Sequence, residues 1–184
     1  MKVGVERISQ IILSLRNFSR LDESDKKAVD IHEGIESTLI ILNHRLKPGI
    51  QVIKDYGNLP EVECYPSQLN QIYMNILANA IDALEDSQKL GNSSPKITIR
   101  TEVIADIDIK IHLIDNGLGM PKNIQEKIFD PYFTTKPIGK GTGLGLSISY
   151  QIIQKHSGNI EVKSEPGEGT EFIITLPLKA PSST

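Results

Sequence analysis

The chain has 184 residues, 39% hydrophobic and 23% charged, with a net charge of −3 and one cysteine, Cys64. That is enough for one full core and a short appendage, and the globular composition and absence of a basic block argue against a nucleic-acid or membrane-surface binder. A single cysteine cannot form an internal disulfide, and there is neither an apolar run near the roughly 18 residues of a membrane span nor a signal peptide, so a cytoplasmic location is expected.

The elements follow in chain order. Val5, Ile8, Ile11, Ile12, Leu15 and Phe18 recur at three- and four-residue steps and predict an amphipathic helix over 3–20. It starts almost at Met1 with no partner for its stripe, which reads as a segment of something longer. The polar residues that follow suggest a linker over 21–29. Asp30 and Glu33 have capping-box spacing and open a second helix, with Ile31, Ile35, Leu39, Leu42 and Leu46 inward, that stops before Pro48-Gly49. Strands are predicted over 50–56 and 62–64, separated by a turn at Asn58 to Pro60.

Pro66 suits the first turn of a long helix to about Glu85, whose buried face comprises Leu69, Ile72, Tyr73, Ile76, Leu77, Ala80, Ile81 and Leu84. Period-two alternation predicts strands from Ile97 through Val103 and from Ile107 through Leu113, joined near Ala105-Asp106. A short helix follows Pro121, then an irregular stretch over 130–143, then a helix to about His156. Two final strands, 159–164 and 170–177, flank the turn-like Pro166-Gly167-Glu168-Gly169, and 179–184 reads as a frayed tail. This order implies a two-layer α+β sandwich, a mixed, mainly antiparallel sheet covered on one face by helices, with residues 30–178 as the main domain.

Three features point to chemistry. In Gly139-Lys140-Gly141-Thr142-Gly143-Leu144-Gly145-Leu146 the alternating glycines run into a helix, a candidate phosphate cradle because glycine permits close backbone approach and a helix N-terminus favours an anion. The run fits neither a Walker loop nor a dinucleotide fingerprint. Asn75 and Asn79, four apart on the long helix, project from one face and suit a Mg²⁺ that draws its charge balance from nucleotide phosphates. Asp115-Asn116-Gly117-Leu118-Gly119 closes a strand; its carboxylate can accept a hydrogen bond from an exocyclic amine such as adenine N6, and Gly117 and Gly119 would leave room for a flat ring.

Taken together, Gln71-Ile72-Tyr73-Met74-Asn75-Ile76-Leu77-Ala78-Asn79-Ala80 resembles the N box of sensor histidine kinases, Asp115 to Gly119 their G1 box, Phe129-Asp130-Pro131-Tyr132-Phe133-Thr134-Thr135-Lys136 their F box, and Gly141 to Leu146 their G2 box. The four motifs stand in family order, and residues 3–20, with Arg16-Asn17-Phe18-Ser19-Arg20, resemble the second helix of the dimerisation domain that precedes such a domain, so that 1–20 would be a remnant of that helix. The resemblance implies a Bergerat-type ATP-binding fold that transfers the ATP γ-phosphoryl to a histidine on a dimerisation domain absent from this chain, with a response regulator downstream and a homodimer in the full-length protein. It implies that Asn79, with Asn75 beside it, holds Mg²⁺; that Asp115 binds adenine, with Gly117 and Gly119 at the ring; and that Lys136, Lys140, Thr142 and the backbone of Gly141, Gly143, Leu144, Gly145 and Leu146 hold the phosphates. Asn75 and Lys136 would be the catalytic residues. Residues 130–143 would form a lid anchored by Phe129 and Phe133.

The resemblance also bears on mechanism. Hydrolytic relatives such as gyrase and the heat-shock chaperones carry a glutamate where Asn75 stands, and an amide lacks the basicity to activate water. Transfer would then rest on positioning, Mg²⁺ and lysine charge. Two departures stand out. His32-Glu33 has only the first two letters of the acceptor motif, so self-phosphorylation is not expected. Asp82-Ala83 replaces a basic and an aromatic residue common in the family. The absent acceptor leaves open a regulatory ATP module without phosphotransfer, and the shared fold an anti-sigma-type serine kinase.

Overall fold

The computed structural model describes residues 25–46, 49–137 and 141–179. The helix expected over 3–20 and the start of the linker lie outside them, as do Lys140 and the end of the tail. The segment read as linker is not wholly without structure: Lys27–Val29 forms β1, which pairs antiparallel with β3, Val62–Cys64. Three residues with no repeat give no period, so the pairing could not be read from the sequence.

Helix α1, Ile31–Leu46, is capped by Asp30, whose Oδ1 accepts from the His32 amide at 2.9 Å, one residue earlier than a capping box requires. Helix α2, Pro66–Lys89, runs a turn beyond Glu85. Ser87 is buried, and Gly91, at φ +103, supplies the left-handed stop.

The main sheet has the order β2-β4-β5-β7-β6, formed by Gln51–Tyr56, Lys96–Ile104, Asp108–Asp115, Gly169–Pro177 and Asn159–Glu165. Only the β2–β4 pair is parallel. Ile97, Ile99, Ile109, Ile111 and Leu113 alternate onto the helix-covered face and are buried. Ile107, expected as the first inward residue of β5, instead completes a turn with Ala105 and Asp106 at φ +52 and +57, and is 65% exposed. Such a turn matches the strand twist and takes precedence over one more apolar position. Across the sheet lie charged groups, including an Arg100–Asp55 pair and His112 held between Glu171 at 2.8 Å and Glu102 at 3.1 Å.

Helix α2 is central. It packs on α1, on β5 and on α4, Gly145–Lys155, while the short α3, Lys122–Gln125, lies by β6. The mixed sheet with helices on one face is the expected architecture. No helix among the described residues is long and apolar enough to cross a membrane.

Candidate functional site

A cleft of about 540 Å³ opens between α2, the end of β5, residues 133–137 and 141–143, and the start of α4. Of the residues singled out from the sequence, Asn75, Asn79, Asp115, Gly119, Lys136, Gly141, Thr142, Gly143, Gly145 and Leu146 line it. Gly117 and Leu144 are adjacent in sequence but do not line it. Lys140 lies outside the described residues.

Asp115 ends β5 and is 6% exposed. Its Oδ1 accepts from the Gly117 amide at 2.8 Å, and the Thr170 amide also donates to the carboxylate. Burial pushes this carboxyl up to about 6, and the two backbone donors recover only part of the shift. Among the described residues no lysine or arginine balances it, so it is a desolvated acceptor facing a cleft.

The two glycines after it are needed by the chain itself. A Cβ on Gly117 would meet Asp115 Oδ1 at 2.8 Å and Ala83 Cβ at 2.9 Å; one on Gly119, at φ +66, would strike the Glu165 carbonyl. Both positions require glycine where β5 turns away tightly against α2 and the β6–β7 hairpin. Gly119 still lines the cleft.

Asn75 is tied down. Its Nδ2 donates to the Gly145 carbonyl at 2.8 Å and to Ser149 Oγ at 3.1 Å, fastening α2 to the first turn of α4. Both amide hydrogens are engaged, which narrows any metal or reaction role to Oδ1. Asn79, one turn on, faces the lid: its Oδ1 accepts from Lys136 Nζ at 3.1 Å, and the same ammonium binds Asp82 Oδ2. An amide oxygen already serving a cation suits Mg²⁺, which takes one or two protein ligands with substrate phosphates and water. Among the described residues no cluster of three or more His, Cys, Asp or Glu could cage a metal, so a metal would enter with phosphates.

The segment before α4 is closely packed on itself. A Cβ on Gly143, at φ +66, would collide with the backbone of Tyr132, itself at φ +66. Phe129 packs on Tyr150 and Phe172, and Phe133 reaches the core and lines the cleft. The N-terminus of α4 closes the cleft with amides suited to an anion. His32 is engaged in the fold, stacked on Tyr56 with Nε2 2.9 Å from Thr101 Oγ1.

Sequence reasoning missed Arg45. From the last turn of α1 it reaches Asp82 Oδ1 at 2.5 Å and clamps Glu85 through two bonds of 3.2 and 2.9 Å. Only the packing of α1 on α2 brings these positions together. No local spacing announces it.

Residues 64–180 match the family described as histidine kinase-, DNA gyrase B-, and HSP90-like ATPase. The signal transduction histidine-protein kinase AtoS of Escherichia coli (strain K12) is 35% identical over 179 residues, covering 95% of this chain and 28% of the relative. Sporulation kinase E of Bacillus subtilis (strain 168) is 41% identical over 177 residues, covering 95% and 23%. The chain thus spans about a quarter of the length of these relatives. The nucleotide-free catalytic domain of histidine kinase ThkA superposes with a TM-score of 0.71 at 28% identity, covering 84% of this chain and 98% of that one.

Proposed function

We propose that this chain, which belongs to the histidine kinase-, DNA gyrase B-, and HSP90-like ATPase family and within it to the sensor histidine kinases, transfers the γ-phosphoryl of ATP to a histidine on a dimerisation domain. Its domain is the ATP-binding catalytic type. The observation that carries the reading is the convergence on one cleft of a buried carboxylate held by backbone donors, an amide-bearing helix face and a lysine from the segment after Phe133.

Adenine would enter at Asp115, where the carboxylate accepts from N6. Lys136, Thr142 and the first amides of α4 would hold the phosphates, joined by Lys140. Asn79 Oδ1, with Asn75 Oδ1 beside it, would hold Mg²⁺, which when bound neutralises phosphate charge during transfer. Asn75 fixes α4 against α2, so the phosphate cradle keeps its aim. As an amide it cannot draw a proton from water, which leaves hydrolysis slow and favours a nucleophile that arrives already positioned. The acceptor histidine would belong to the dimerisation domain of which residues 1–20 are a helix remnant, joined to this domain by 21–29, in a homodimer on the cytoplasmic side, with a response regulator taking the phosphoryl onward.

The test supplies a separate acceptor domain with γ-labelled ATP. Label that is acid-labile and base-stable on the acceptor histidine supports the reading. ATP binding without transfer would favour a regulatory module, and acid-stable label on serine a serine kinase; either would overturn it.

A further inference from the structure

We infer that Asp82 and Arg45 set how strongly this cleft prefers a nucleotide bearing a γ-phosphate, by holding Lys136 in competition with that phosphate. The inference rests on the ATP reading above and extends it to two residues with no assigned part in it.

Asn79, Asp82 and Glu85 follow at three-residue steps on α2, so one face presents an amide oxygen and two carboxylates in a row. Arg45 and Lys136 approach Asp82 from opposite sides: Arg45 from α1 on Oδ1 and Lys136 from the lid on Oδ2. Each carboxylate oxygen therefore has its own cation. The Lys136 ammonium is bound before any nucleotide arrives, and phosphate can take it only by breaking the Asp82 contact. When it leaves, Arg45 stays, so Asp82 does not confront the phosphates as an unbalanced charge. A nucleoside diphosphate lacks the group that competes for the lysine and leaves the contact in place. Burial raises the Asp82 carboxyl, but Lys136 and Arg45 outweigh it and hold it below the ordinary carboxylate range, so the competitor is ionised at neutral pH. The side chains of Arg45, Asp82 and Lys136 are 27%, 33% and 36% exposed, which limits the strength of the contact to that of a partly screened ion pair.

Calorimetry on the chain with Mg²⁺ and either a non-hydrolysable ATP analogue or ADP tests this, with thermal melts confirming that each variant folds. Asp82→Asn is expected to tighten the triphosphate about fivefold relative to the diphosphate, the worth of one such ion pair. Asp86→Asn, which removes a charge from the same cleft at a residue that pairs with Lys89, is expected to shift both nucleotides alike. Arg45→Gln should act in the opposite direction to Asp82→Asn, and Arg45→Lys should restore part of the loss. In a Lys136→Met background the triphosphate-selective gain from Asp82→Asn should vanish. Equal shifts for both nucleotides in Asp82→Asn, or a selective gain that survives Lys136→Met, would overturn the inference while leaving ATP binding intact. Triphosphate affinity untouched by Lys136→Met would refute the phosphate role of that lysine and the inference with it; no adenine-nucleotide binding by the unaltered chain would refute the functional reading itself.

Discussion

Asp115 opposes the stability of its own fold at neutral pH, and the size of that opposition can be measured. Its carboxyl titrates at about 6 in the fold against an ordinary 3.8. At about 1.4 kcal/mol per unit of pKa the difference amounts to about 3 kcal/mol. The sign follows from proton counts. Between 3.8 and 6 the folded chain holds a proton that the unfolded chain has released, so stability falls as pH rises through that window. Above about pH 7 the full penalty is present; below about pH 3 both states are protonated and it is gone. Asp115→Asn removes the titration. The variant also exchanges a carboxylate for an amide against the Gly117 and Thr170 donors, an effect that is the same at every pH and cancels when the two ends of the window are compared. Urea denaturation of both proteins without nucleotide should therefore show the variant gaining on the parent by about 3 kcal/mol between pH 3 and pH 7. A stability difference that stays flat across this range would refute the assignment of a desolvated, unbalanced carboxylate. Binding should move the other way: ATP affinity of the parent declines on acidification below pH 6 as the acceptor is protonated, and the variant shows no such decline.

Asn79→Ala should weaken ATP in the presence of Mg²⁺ roughly tenfold to a hundredfold, the range for losing a hydrogen bond to a charged group, with a smaller effect when the metal is chelated; equal affinity with and without the metal in parent and variant would rule out the ligand role. Asn75→Asp should destabilise the fold by about 2 kcal/mol, because a carboxylate would face the Gly145 carbonyl that now receives an amide hydrogen, and chemical denaturation would read it. His156 accepts from the Tyr65 amide at 3.0 Å and donates Nδ1–H to the Ile152 carbonyl at 2.8 Å, so the fold holds it neutral. Burial, with help from Lys26 and Lys155, depresses its pKa, and stability is accordingly lost as pH falls below the ordinary 6.5. His156→Gln should cost about 1–3 kcal/mol at pH 7 and progressively less toward pH 5, as followed by thermal melts.

The sequence disclosed what has a period or a motif. Helices α1, α2 and α4 and the long strands follow from apolar spacing, and Asn79, Asp115, Lys136 and the glycine run, read separately, do meet at one cleft. What stayed hidden depends on distance in the chain or on backbone fit. Arg45 and Asp82 are 37 positions apart and meet only because α1 lies on α2. That Gly119 is also required by the chain itself shows only once the Glu165 carbonyl is seen against it. Ile107 keeps the strand's alternation but is drawn into the turn, since hydrophobic phase says nothing about where a hairpin must close.

The cleft separates its charges along its length, and the separation explains what it can recognise. At one end Asp115 is an anion with backbone donors but, among the described residues, no cation, which opposes folding and is relieved by a ligand that donates a hydrogen bond without bringing negative charge; an exocyclic amine on a flat base meets that requirement and a phosphate does not. At the other end Lys136 is a cation lent to Asp82 and Asn79, and a polyphosphate can claim it because Arg45 keeps Asp82 balanced. Between them Asn75 is a neutral amide whose hydrogens are fixed on α4. A glutamate at position 75 would face the same carbonyl and lose that tie. On the proposed function, the residue that withholds a general base from water is also the one that ties α4 to α2, and a single substitution there should disturb chemistry and architecture together.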